Sequence, residues 1–156
     1  MRTIEGSPAA SGLRVAIVVS KYHDFVTDRL QTGSLAALDA AGVTRDSITI
    51  VRVPGSFELP SAAQHAAEGG RCDAVVCLGC LIKGETPHFE FIASAVAHGL
   101  TAAAAATGVP MAFGVLTTNS VEEALARAGD GQDNKGWEAA TAAVEMATVI
   151  RHLRKP

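Results

Sequence analysis

Gly79-Cys80-Leu81-Ile82-Lys83-Gly84-Glu85-Thr86-Pro87-His88-Phe89-Glu90-Phe91 decides the fold. The apolar run Ala74–Leu81 enters this stretch as a strand and gives way to a glycine-containing loop. Thr86 then reads as a helix N-cap, with Pro87 at the first helical position, where a missing N–H costs nothing. Such a junction can hold an anion on backbone N–H groups. His88 places a titratable base beside it. A phosphorylated substrate and a proton transfer are the chemistry this pattern suggests.

Outward from that junction the chain alternates strand and helix. Leu13–Ser20, Ser47–Val53 and Val109–Leu116 are the other β-rich runs. Helical segments are expected over Asp24–Ala41, Leu59–Glu68, Thr86 to about Ala106, Val121–Ala128 and Gly136–Leu153. Gly42 stops the first of these, Ser120 caps the fourth, and Gly129–Asn134 is a loop. Continuous apolar strands with helical crossovers predict a four-stranded parallel sheet covered on both faces. With right-handed crossovers this is a three-layer α/β/α sandwich of flavodoxin-like order. No linker divides the chain, so residues 1–156 read as one domain, with residues 1–12 as an N-terminal arm.

Composition narrows the function classes. A chain of 156 residues buries a real core without disulfide or metal support. Hydrophobic residues make up 48% and aromatics 4%, so the core is built of Ala, Val, Leu and Ile. A net charge of −3 gives no general reason to bind nucleic acid or an anionic membrane. No segment reads as a membrane span or a secretory signal, which makes the cytoplasm the expected compartment. Cys77 and Cys80 have C-x-x-C spacing, but residues three apart on a strand point to opposite faces. With no second Cys/His pair, neither zinc nor redox chemistry is expected.

In a parallel α/β sheet, ligands bind beyond the carboxyl ends of the strands. Four segments lie there: Lys21-Tyr22-His23, Pro54-Gly55-Ser56-Phe57-Glu58, the opening stretch, and Thr117-Thr118-Asn119. Tyr22 and Phe57 offer rings for a planar heterocycle, Glu58 accepts hydrogen bonds from hydroxyls, and His88 moves protons. Read without further context, His88 suits hydrogen bonding at a helix start better than catalysis. Arg127 suits the negative end of its short helix, and Phe113 suits the core.

Gly79–Phe91, together with Val53-Pro54-Gly55-Ser56-Phe57-Glu58-Leu59-Pro60, Gly114-Val115-Leu116-Thr117-Thr118 and Asn134-Lys135-Gly136-Trp137-Glu138-Ala139-Ala140, closely resembles the 6,7-dimethyl-8-ribityllumazine synthase family. The resemblance implies condensation of 5-amino-6-(D-ribitylamino)uracil with 3,4-dihydroxy-2-butanone 4-phosphate, without metal or redox cofactor. It implies that Tyr22 stacks on the pyrimidine and that Ser56, Phe57 and Glu58 hold ring and ribityl chain. Cys80, Leu81 and Ile82 would offer backbone to the pyrimidine edge; Glu85 and Thr86 would belong to the phosphate loop; His88 would transfer protons. Phe113, Arg127 (the phosphate-binding arginine) and Lys135 would complete the pocket from a neighbouring subunit.

Some positions depart from the commoner family pattern. Tyr22 replaces a frequent Phe or Trp, His23 a frequent Asn, Lys83 a frequent Arg and Glu85 a frequent small residue. A carboxylate would repel phosphate, so Glu85 is expected to point away and use its backbone N–H. The resemblance further implies a pentamer, built up into a 60-subunit icosahedral shell, with riboflavin synthase as a further partner. Pro8 in the arm lacks a donor for strand pairing. Two rivals come from other classes. One is a flavin-binding or receiver module, for which the loop after the first strand and the strand ends lack the needed residues. The other is a shell or carrier protein without turnover.

Overall fold

The two central β-rich runs are apolar on both faces, and the two more exposed runs pair along their edges. In the computed structural model, which describes Met1 to Pro156, they form β1 (Val15–Ser20), β2 (Ile48–Val53), β3 (Ala74–Ile82) and β4 (Met111–Thr118). The helices are α1 (Asp24–Ala40), α2 (Leu59–Ala67), α3 (His88–Thr107), α4 (Val121–Arg127) and α5 (Lys135–Leu153). The sheet order is β2-β1-β3-β4, with all three pairings parallel. This is the predicted sandwich, in an order consistent with a flavodoxin-like fold.

Alternation along the two central strands divides the core. Ile17, Val19, Val76, Leu78 and Cys80 face α1, α4 and α5. Val18, Val75, Cys77 and Leu81 face α2 and α3. Cys77 and Cys80 therefore lie in different layers, and burial pushes their thiols up to about 12 and about 11. Both are buried in the core on opposite faces of the sheet, as the strand argument predicts.

Helices α1 and α5 approach closely because glycine sits at the crossing. A Cβ on Gly136 would strike the Leu30 carbonyl oxygen, and one on Gly33 would strike the Asn134 carboxamide. Ser34 Oγ donates to the Gly136 carbonyl at 2.8 Å, a hydrogen bond that only this close approach permits. The arm lies along the same layer: Ser7 N–H donates to Thr148 Oγ1 at 2.7 Å, and Ala10 N–H to the Ala41 carbonyl at 2.8 Å.

Three expectations are corrected. The last strand runs from Met111 to Thr118, two residues later than predicted, because Pro110 has no N–H to offer a ladder and residues 108–110 lead in without regular structure. Thr86 does not cap α3. Pro87 is the N-cap, no side chain closes the end, and His88 becomes the first helical residue. Finally, α3 has 20 residues and a mean hydropathy of 1.3, long and apolar enough to cross a membrane by length and composition. Its alanine-rich stretch reads as helix propensity in the sequence, which hides how apolar the whole helix is. Only Val96, Leu100 and Ala103 of this helix are buried.

Candidate active site

The carboxyl ends of β1, β2 and β3 open into a cleft of about 1040 Å³. The sheet's hydrogen bonding continues past the strands and fixes its walls. Lys21 N–H donates to the Val53 carbonyl at 2.8 Å and Tyr22 N–H to the Pro54 carbonyl at 3.1 Å. The segments after β1 and β2 are thereby held side by side. On the far side, Lys83 N–H donates to the Thr118 carbonyl at 2.8 Å.

Most of the anticipated residues meet in this cleft. Tyr22, Ser56, Phe57, Glu58, Leu81, Ile82, Thr86 and His88 all line it. Tyr22 and Phe57 are 66% and 62% exposed, so two aromatic faces stand free in one concavity. Ser56 is buried, and it reaches the floor because Gly79 carries no side chain; a Cβ there would lie 2.5 Å from Ser56 Oγ. His88 opens α3 on the wall of this cleft, and no side chain caps the helix end. Next to it, Gly84 has nothing within contact distance of where a Cβ would stand, which leaves backbone open to a ligand.

Two anticipated residues line no wall of this cleft. Cys80 sends its thiol into the opposite layer, leaving only backbone for any ligand. Glu85 is exposed and points elsewhere, while its neighbours Gly84 and Thr86 line the wall.

Three others gather in a second cleft, of about 360 Å³, along β4 and α5. Phe113, Arg127 and Lys135 line it together, with Glu138. Phe113 is 49% exposed although it lies within a strand, because β4 is a sheet edge. Arg127 donates to the Glu123 carbonyl at 3.0 Å, and Lys135 pairs with Glu138 at 2.7 Å. Within one chain the two clefts share no lining residue.

The family model for 6,7-dimethyl-8-ribityllumazine synthase matches residues 12–151. A protein of that description from Syntrophus aciditrophicus (strain SB) is 46% identical over 149 residues, covering 96% of this chain and 97% of its own length. The chain belongs to the lumazine synthase family.

Sequence reading left out several groups that line the main cleft of this lumazine synthase family member. Phe91, Ile92 and Ala95 continue the wall begun by His88. Their spacing of three to four residues puts them on one face of α3, a signal available in the sequence. Val121, at the start of α4, had none. His23 also lines the cleft, in the left-handed region at φ 59°, ψ 47°, the only non-glycine residue at positive φ. Its ring centroid lies 4.4 Å from that of Tyr22 and 5.7 Å from that of Phe25. Partial burial pushes its imidazole pKa below 6.5, favouring the neutral ring.

Proposed function

We propose that this chain is a 6,7-dimethyl-8-ribityllumazine synthase, a transferase of riboflavin biosynthesis. It condenses 5-amino-6-(D-ribitylamino)uracil with 3,4-dihydroxy-2-butanone 4-phosphate and releases phosphate and water. The observation that carries this reading is the convergence of Tyr22, Phe57, Glu58, Thr86 and His88 in one cleft of a family member.

Free rings at Tyr22 and Phe57 suit stacking against a pyrimidine, and the buried Ser56 and exposed Glu58 suit the ribityl hydroxyls. Backbone from Cys80 to Ile82 serves the pyrimidine edge. The 5-amino nitrogen attacks the ketone carbonyl, and loss of water leaves an imine. Removal of the C3 proton then expels phosphate with the C–O bonding pair and leaves an enol. The enol takes up a proton at C4 to become a C3 ketone, and attack of the ribitylamino nitrogen on that carbonyl closes the ring with loss of a second water. Each stage moves a proton, which is the role given to His88. Departing phosphate is met by the Glu85–Thr86 backbone, the open turn of α3 and Arg127. No step calls for a cofactor.

Arg127, Lys135 and Phe113 reach the main cleft in this scheme only from a second copy. We therefore place the working site between subunits of a pentamer, itself a unit of a 60-subunit icosahedral shell in the cytoplasm, with riboflavin synthase as a partner. The test is to mix both substrates with the protein and follow lumazine absorbance. A rate no higher than the spontaneous one, with substrate still bound, would make the chain a carrier and sink the enzyme reading.

A further inference from the structure

The loop between α4 and α5 carries a polar side chain with no place in the scheme above. Asn134 is 3% exposed, and its carboxamide is fully used. Its Oδ1 accepts from Gly136 N–H at 2.7 Å and Trp137 N–H at 3.3 Å. Its Nδ2 donates to the Arg29 carbonyl of α1 at 3.1 Å and to the Gly129 carbonyl at 2.8 Å. Two donors and two acceptor sites, all satisfied inside the protein, are the whole capacity of a primary amide.

Only the first pair is ordinary capping. The second pair ties three separated pieces of chain together. Gly129 lies two residues beyond Arg127, at the end of α4, and Lys135 follows Asn134 directly. Asn134 thus grips the loop on both sides, close to each of the two cations that line the β4–α5 cleft, and anchors it to α1. The opposing helix makes room for this, since any side chain on Gly33 would collide with the carboxamide. A cap needs neither the anchor nor that room.

We propose that Asn134 is a positioning residue that sets the spacing of Arg127 and Lys135 and thereby the affinity of the cleft for phosphate. The inference rests on the reading of Arg127 as the phosphate-binding arginine. Asn134→Ser keeps a capping oxygen but loses the reach to Arg29 and Gly129. Asn134→Asp keeps both acceptor contacts at the helix N-terminus and turns an oxygen toward two carbonyls.

The probe is inorganic phosphate, titrated calorimetrically into the assembled protein, so turnover is not needed for the readout. Losing two neutral hydrogen bonds at the anchor should weaken phosphate binding roughly tenfold in Asn134→Ser. Asn134→Asp should weaken it at least as much, because it sets an anionic oxygen against the Arg29 and Gly129 carbonyls. In an Arg127→Ala background the Asn134→Ser change should add less than about twofold, because coupled residues are not additive. Phosphate affinity unchanged in both Asn134 variants, with only Tm lowered, would reduce Asn134 to a cap and overturn the proposal. So would full additivity with Arg127→Ala. A wild type that binds phosphate through Arg127 but forms no lumazine would refute the proposed reaction and leave this inference standing.

Discussion

His88 stands at the start of α3, on the wall of the main cleft, with no side chain occupying the helix end beside it. His88→Ala should lower kcat by on the order of 10²-fold, with little change in substrate affinity, since general acid–base groups contribute about that much. Steady-state kinetics with each substrate varied in turn checks this; an unchanged kcat removes His88 as the proton carrier. His23 is a different case. A side chain held at φ 59° is strained, and Asn tolerates that region better than His. His23→Asn should stabilise the protein by about 0.5 kcal/mol at neutral pH, read by urea unfolding. The pH effect has a definite sign. The folded-state pKa lies below 6.5, so as pH falls through 6.5 the unfolded state takes up the proton first. Stability is lost downward from about that pH, and the loss should be smaller in His23→Asn. A wild-type profile as flat as the variant's would refute the assignment.

Among the elements, the α1–α5 crossing is the tightest constraint. Gly136→Ala drives a methyl group into the Leu30 carbonyl, and overpacking of this kind costs about 1–3 kcal/mol. Chemical denaturation should show that loss, whereas Gly129→Ala, whose Cβ would meet only the Ala126 carbonyl at 3.9 Å, should cost less through packing. The strands and helices were legible because apolar periodicity survives in each of them, and both layers of the core follow from alternation along β1 and β3. Legibility failed where tertiary partners decide. Thr86 has the side chain of a cap, yet the cap position falls a residue later, at Pro87, and the helix starts at His88. Phe113 looks like core because sequence does not mark β4 as an edge. Asn134 read as loop because its partners, Arg29 and Gly129, are brought to it by the α1–α5 crossing. The main cleft was legible for a topological reason: strand ends in a parallel sheet are predictable, and its lining comes from them.

At the scale of the molecule, several large apolar side chains stand exposed on the single chain. Tyr22, Phe57, Phe91, Phe113 and Met146 are all large and exposed, and α3 shows most of its length. Exposed apolar surface of this kind suits the proposed assembly. Ala102 lies on the open face of α3. On a free surface Ala102→Glu should change stability by less than about 0.5 kcal/mol. In the proposed assembly the new charge is buried between copies, so sedimentation should show dissociation. A variant that sediments like the parent would show that this face is not an interface.

The two clefts of one chain are separate, one built at the ends of β1 to β3 and one along β4 and α5. In the proposed pentamer, a surface that gives one half and receives the other is head-to-tail, the kind of contact that makes a ring when its rotation closes. The genetic consequence is complementation between dead alleles. A chain with Arg127→Ala still presents an intact His88, and a chain with His88→Ala still presents an intact Arg127. Co-expressed in equal amounts and mixed at random, the two should restore roughly a quarter of the sites, one for each junction that pairs the two sound halves.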